Sequence, residues 1–432
     1  MLYRQLHPVI RRNTLLLTLG NALLILVIVL TPTIGPLIIL NQTGSIALAA
    51  LPAVIMWSGR MMMAFQSGRL MDKVGRIRLL SLGFLIAIVG TLLLGSGTLM
   101  NSFELFVIGL FVFGLGLGAA SQNRLAIADM YPAARRGSGI GYFMTISVAG
   151  IFLSPVLLNL SAGLTAQWGL IPFAIPWFFA AVFLAVALGT TILVRPDPLI
   201  ISQNLSTYYP DLPVHDQSSK NRAISERPDS LSSSGFSIKS LPFLVAITVS
   251  ATSNGIMIMF MGLTAIFLSN LAVSITLISL AISIHVMGMF AFSIPFGKIA
   301  DRYGRKKVLL GGIGLSVLGA ILTPITSIFW VITLGIFLIG LGWSASFLSA
   351  TSIVADILGP TQRGRGTGIN DVAMGLAAIS FPLMGGILFE IFSFASLGVL
   401  SILASIPGLM LVLMLKEKSP GVFRTRDPNS NI

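Results

Sequence analysis

Long apolar runs, separated by short polar breaks, dominate the chain. Crossing about 30 Å of hydrocarbon takes roughly 20 apolar helical residues. Twelve runs reach about that length: 14–37, 46–67, 79–97, 103–128, 138–162, 171–194, 241–269, 274–296, 308–325, 328–355, 367–389 and 395–415. Each predicts a spanning helix, because backbone inside lipid must satisfy its own hydrogen bonds. The first run follows a basic start, MLYRQLHPVIRRN. It is too long for a signal-peptide core and shows no small-residue cleavage site, so it is expected to remain as span 1. Between the sixth and seventh runs lies a stretch rich in Ser, Pro and Asp with no apolar period. A flexible linker is expected there. The pattern predicts an all-α integral membrane protein of twelve helices in two six-helix bundles. Its parts are 1–194, a linker at 195–240, 241–415, and a tail at 416–432.

Composition agrees. Of 432 residues, 55% are hydrophobic and 9% charged, against about 25% charged in a soluble domain. The net charge of +13 would suggest nucleic acid if it formed one patch. Instead Arg and Lys occupy the N-terminal tail, loops 2–3, 4–5, 8–9 and 10–11, the linker and the C-terminal tail, while the opposite loops carry none. That asymmetry predicts both termini and the linker in the cytoplasm, and the chain is expected in the inner membrane. It argues against a nucleic-acid partner; the bilayer and a small solute or metal ion are the expected ones, with the chain as a monomer. There is no cysteine, so disulfides, thiolate metal sites and redox thiols are excluded.

The halves repeat. GRLMDKVGRIRLL (68–80) matches GKIADRYGRKKVLL (297–310) at Gly68/Gly297, Asp72/Asp301, Gly75/Gly304 and Arg76/Arg305. DMYPAARRGSGIG (129–141) matches DILGPTQRGRGTG (356–368) with one shift. Two matching elements in the same order imply an internal duplication. With its G-x-x-x-D-x-x-G-R pattern in loops 2–3 and 8–9, the chain resembles the major facilitator superfamily over essentially its whole length. The resemblance implies the major facilitator fold, two pseudo-symmetric bundles around a central cavity, and transport by alternating access rather than catalysis.

The repeated motif has a physical reading. Gly75 and Gly304 permit tight turns. In the superfamily arrangement Asp72 abuts the start of span 11 (Gly366–Thr367–Gly368), where a carboxylate meets a helix N-terminus. By symmetry Asp301 would face the start of span 5 (Gly137–Ser138–Gly139). Arg76 can pair with Asp129, and Arg305 with Asp356. Together these residues are expected to form a cytoplasmic gate that favours the outward-open state.

Ionisable groups within spans are functional candidates, because lipid makes them costly. They are few. No Asp or Glu falls near mid-membrane; Glu104 and Glu390 lie at outer ends, and Asp371 is about one turn into span 11. Arg60 is within span 2 and Arg124 near the end of span 4. Where the superfamily's drug-antiporter branch carries an early span-4 arginine, this chain has Leu110, and its span 5 reads SPVLLN without glycines. Both departures speak against drug/proton antiport. The remaining candidates are His285 and methionines. Met257 and Met261 in GIMIMFMG, and His285 and Met289 in HVMGM, are i,i+4 pairs on neighbouring antiparallel spans. Counted from the joining loop, Met257 lies roughly 20 Å deep and His285 roughly 18 Å. Thioethers and neutral imidazole select Cu(I). M-x-x-x-M followed by H-x-x-x-M is similar to the superfamily's copper-importing branch, which supplies cytochrome c oxidase maturation. Met56 in MWSGR resembles that branch's further Met-Phe-x-x-Arg element, with Trp57 for Phe, and aligns with His285 on the internal repeat. The resemblance implies copper as transported substrate, with no resident cofactor, and Met257, Met261, His285, Met289 and Met56 as its ligands. The competing expectation is a facilitator or exporter of a lipophilic or anionic organic solute, with Arg60 and Asn254 in the substrate cavity.

Overall fold

The computed structural model describes residues 6–169, 171–210, 240–358, 360–419 and 422–423. Among them lie twelve helical rods. Spans 1–3 are Pro8–Thr43, Leu51–Val74 and Arg76–Leu99. Span 4 is Phe103–Ala120 continued by Asn123–Met130. Span 5 is Ala133–Ser147 joined to Leu153–Trp168 through the 3₁₀ turn Val148–Phe152, and span 6 is Ala174–Ile192. Span 7 is Leu241–Asn270, and span 8 is Ile275–Phe290 continued by Ser293–Tyr303. Spans 9–12 are Arg305–Leu322, Phe329–Ile357, Pro360–Ile391 and Ala395–Met414. Ten of the helices are long and apolar enough to cross a membrane. Span 9 is not among them, because the charged motif runs into the helix and puts Arg305, Lys306 and Lys307 in its first turn. Span 3 starts at Arg76 and span 9 at Arg305, each three residues before its apolar run.

Glycine packs the interior of each half. A Cβ on Gly90 of span 3 would strike the Phe113 backbone of span 4, and one on Gly114 would strike the Met56 carbonyl of span 2. In the second half, Gly319 and Gly335 bring spans 9 and 10 together in the same way. Small residues at such crossings let helix backbones touch, which is how helices associate when lipid is as apolar as the side chains.

The two groups of six spans meet mainly at the end whose loops carry no charge. There Glu390 of span 11 accepts hydrogen bonds from the Ser45 hydroxyl at 2.8 Å and the Ala47 amide at 2.6 Å. Ser154 and Ser279 share a hydroxyl bond at 3.1 Å, Thr276 donates to Asn159 at 3.4 Å, and Ser283 donates to the Ile151 carbonyl at 3.2 Å. Toward the charged end the halves part. Met62, Arg124, Asp371 and Leu376 are exposed there.

The expected flexible linker starts differently. Residues 198–203 and 205–208 form short helices docked on the first half. Ile201 is fully buried and Tyr209 nearly so, and the Tyr209 hydroxyl donates to the Met130 carbonyl at 3.1 Å. Apolar side chains two to four residues apart supply the anchoring that a count of Ser and Pro misses. The rest of the linker, 211–239, lies outside the described residues. After span 12, Glu417–Ser419 pairs antiparallel with Val422–Phe423.

Candidate substrate path and charged-end turns

The charged turns are built alike in both halves. Gly75 and Gly304 have φ of 94° and 97°, a conformation that costs a residue with a Cβ. Directly over each glycine sits a carboxylate from the segment after the sixth span of the same half. Asp197 accepts from the Arg76 amide at 3.2 Å and the Ile77 amide at 2.9 Å. Glu417 accepts from the Arg305 and Lys306 amides, each at 2.9 Å. A Cβ on Gly75 would lie 3.0 Å from an Asp197 oxygen, and one on Gly304 2.7 Å from a Glu417 oxygen. Each acid therefore caps the N-terminus of a third span, where unpaired amides and the helix dipole favour negative charge. Neither acid stands out in the sequence. The available signal was position, since both follow a sixth span by only a few residues.

The paired arginines lie beside these caps. Arg76 Nε is 2.8 Å from Asp129 Oδ2, and Arg305 Nε is 3.3 Å from Asp356 Oδ2. Asp301 does not reach across to the first half. Its side chain is 74% exposed and lies 3.0 Å from its own Arg305. Among the described residues no hydrogen bond or ion pair joins it to the first half. The Asp72 side chain lies outside the described residues.

The methionine–histidine group is divided. Met257, Met261 and Met289 belong to one apolar cluster, whereas Met56 is counted in the core of the first half, its backbone against Gly114. His285 is fully buried. Its Nδ1 lies 2.5 Å from the Ile336 carbonyl of span 10, over Gly340, whose missing Cβ leaves room for the approach. A carbonyl only accepts, so Nδ1 carries the proton and Nε2 keeps its lone pair. Among the described residues that Nε2 has no hydrogen-bond partner.

Arg60 and Asn254 have different surroundings. Arg60 is half-buried, its guanidinium 4.5 Å from the centre of the Trp57 ring. Trp57 packs against the apolar clusters of both halves, so the pair stands at the seam. Among the described residues Arg60 makes no ion pair; Arg124 and Asp371 lie within electrostatic range. Its neighbour Met61 lies against Gly375 of span 11. Asn254 is buried and its amide is engaged: Nδ2 donates to the Met374 carbonyl and Oδ1 accepts from Trp343 Nε1, both at 3.0 Å. It is thus a bracket that fixes Trp343 rather than an open contact in the cavity. Trp343 stacks on Phe347 at 4.9 Å and 4°, and meets Phe290 edge-on at 5.8 Å. Phe290 and Phe347 are half-buried. Short apolar motifs gave no hint of this aromatic group, since its members come from spans 8 and 10.

Comparison with known proteins bears on this architecture. The sequence model of the family described as Major Facilitator Superfamily matches residues 16–263 and again 243–429. The chain is 25% identical over 382 residues to the uncharacterized MFS-type transporter YdeG of Bacillus subtilis, covering 86% of this chain and 85% of that protein. It is 24% identical over 367 residues to the riboflavin transporter RfnT of Brucella anthropi, covering 84% and 85%. Its fold is similar to the inward-open xylose transporter XylE of E. coli, with TM-score 0.69 and 16% identity over 93% of this chain and 96% of that one.

Proposed function

The chain belongs to the Major Facilitator Superfamily and is a secondary membrane transporter; from that premise we propose that its substrate is a planar organic anion held at the seam between the halves. One observation carries this reading: a largely buried arginine at the seam, its guanidinium backed by an aromatic ring, with no acid in ion-pair contact among the described residues. An arginine retained so deep in a span requires a partner. A carboxylate or phosphate on the cargo fits its planar donor fork. Trp57 and the half-buried Phe290 and Phe347, both braced by the buried Trp343, supply aromatic surface for a flat ring. The riboflavin relative is named for a flat heterocycle, which agrees in shape. By the positive-inside rule the charged end faces the cytoplasm, so this conformation is the inward-open one. The test is binding of a panel of aromatic carboxylates, with riboflavin as the uncharged comparator, followed by tryptophan fluorescence in the purified carrier. Arg60→Gln is expected to weaken the best anion by about ten- to a hundred-fold, as loss of a charged hydrogen bond predicts, and to leave riboflavin unaffected. Equal binding of anions by both proteins would refute the assignment.

A second reading, transport of Cu(I), is favoured by the unpartnered Nε2 of His285. A ring anchored through Nδ1 on a backbone carbonyl is oriented as metal-binding histidines are, and three methionines share the neighbouring cluster. It ranks below the first because Met56 belongs to the other half's core and the remaining four groups are sealed from the open vestibule. None of the named relatives is described as a copper carrier. Metal analysis of protein purified after copper loading decides it: stoichiometric copper lost on His285→Ala supports this reading, and its absence in the unaltered protein ends it.

A further inference from the structure

Three charged side chains, two from the first group of six spans and one from the second, lie within electrostatic range of one another toward the charged end. Arg60 and Arg124 come from spans 2 and 4, and Asp371 from span 11. The electrostatic influences on Arg60 come from Arg124 and Asp371, and those on Asp371 from Arg124 and Arg60. None of the three is in an ion pair among the described residues, and Arg124 and Asp371 are exposed. The positive members therefore sit on one half and the negative member on the other.

Their heights can be compared through one contact. Met61 of span 2 rests on Gly375 of span 11. The two spans run in opposite directions. Asp371 lies one turn beyond that contact toward the charged end, and Arg60 one residue beyond it toward the other end. The axial offset is about 7–8 Å at 1.5 Å per residue, within the combined reach of an arginine and an aspartate side chain. Bringing the charged ends together would carry Asp371 toward both arginines.

The charges do not balance. Among the described side chains of this group, two arginines and one aspartate leave one positive charge. While the vestibule is open, water solvates it. Closure removes that water, and an unpaired charge in a dry interior is strongly disfavoured. We propose that Asp371 is the resident counter-ion of Arg60 and Arg124, and that the charged end closes readily only when the cargo brings the one further negative charge. This rests on the reading of Arg60 as an anion contact and narrows the cargo to a net monoanion. The empty carrier is then held open at this end by its own excess charge. Return without cargo is slow, and the protein behaves as an exchanger of monoanions.

The charge count can be tested with no substrate at all, and so independently of that reading. The chain has no cysteine, so one cysteine in each half can carry a spin label. Leu82→Cys and Gly311→Cys suit, being exposed positions on spans 3 and 9. Distances are measured in lipid nanodiscs by pulsed electron resonance. Relative to the cysteine-only protein, Arg124→Gln, with balanced charge, is expected to raise the short-distance, closed population about ten-fold. Asp371→Asn, with two excess charges, should lower it. The double variant, again with one excess charge, should return it to the starting value, and Arg124→Lys should leave it there. Residues serving only to brace the helices would give no such restoration. A double variant that fails to return, or an Arg124→Gln distribution unchanged from the start, overturns the proposal. The binding test on Arg60→Gln stands apart, so a correct charge count with no anion binding would sink the substrate reading alone.

Discussion

Asp197→Asn is the perturbation whose size follows most directly from the structure. The Asp197 carboxylate accepts from the amides of Arg76 and Ile77, and its Oδ1 also accepts from Leu199 at 2.8 Å. It thereby ties the segment after span 6 to the start of span 3. Asparagine keeps the shape but supplies one acceptor oxygen instead of two, and no charge for the helix end. A hydrogen bond to a charged group contributes about 1.5–3 kcal/mol and a carboxylate at a helix start about 0.3–1 kcal/mol. Asp197 is half-exposed, and solvent reduces both terms. The expected cost is about 1–2 kcal/mol, confined to the first turn of span 3. Hydrogen exchange followed by mass spectrometry reads it locally. The peptide beginning at Arg76 should exchange about 5–30-fold faster, the factor that 1–2 kcal/mol implies. Glu417→Gln should do the same at Arg305 and Lys306, because Glu417 caps span 9 in the same manner. If neither peptide changes, the carboxylates do not hold these turns, and their position over the glycines is incidental.

Two further outcomes follow from packing and from burial. Gly114→Ala places a methyl group on the Met56 carbonyl and should destabilise the first half by about 1–3 kcal/mol, read as a lowered unfolding temperature in detergent. Tyr209→Phe should cost about 1 kcal/mol at neutral pH, because the Met130 carbonyl loses its donor. Burial raises the Tyr209 phenol pKa well above its ordinary 10.0. The fold favours the protonated form, so stability is full below that ordinary value and falls as pH rises beyond it. The gap between the wild-type protein and Tyr209→Phe should therefore narrow above pH 10.0 in thermal scans.

The twelve rods were legible because lipid forces a simple code, one long apolar run per crossing. The code blurred where charge enters a helix, which is why the starts of spans 3 and 9 were placed three residues late. Turn chemistry was legible as well: a glycine recurring before an arginine in both halves marks a backbone with positive φ. Side-chain direction was not. Depth along the helices put His285 level with Met257, yet the ring turned to the Ile336 carbonyl, because Gly340 opens space there and a buried donor seeks an acceptor. The sequence leaves the Asn254 amide open to cargo, whereas Trp343 and Met374 occupy it. The Asp197 and Glu417 caps were invisible for a different reason. Their partners lie more than a hundred residues away, and a single carboxylate in a polar stretch carries no periodic signal.

Beside the Glu390 contacts to Ser45 and Ala47, the seam at the uncharged end is held by small neutral hydroxyl contacts, Ser154 to Ser279, Thr276 to Asn159 and Ser283 to Ile151. Such bonds contribute only about 0.5–1.5 kcal/mol each, since water replaces either partner at little loss. Within a half, by contrast, glycine surfaces lie backbone against backbone, and prising them apart exposes amides to lipid. The molecule is thus welded along its blocks and merely buttoned between them. Thermal energy undoes buttons long before welds, so each block keeps its shape while the fastening changes sides.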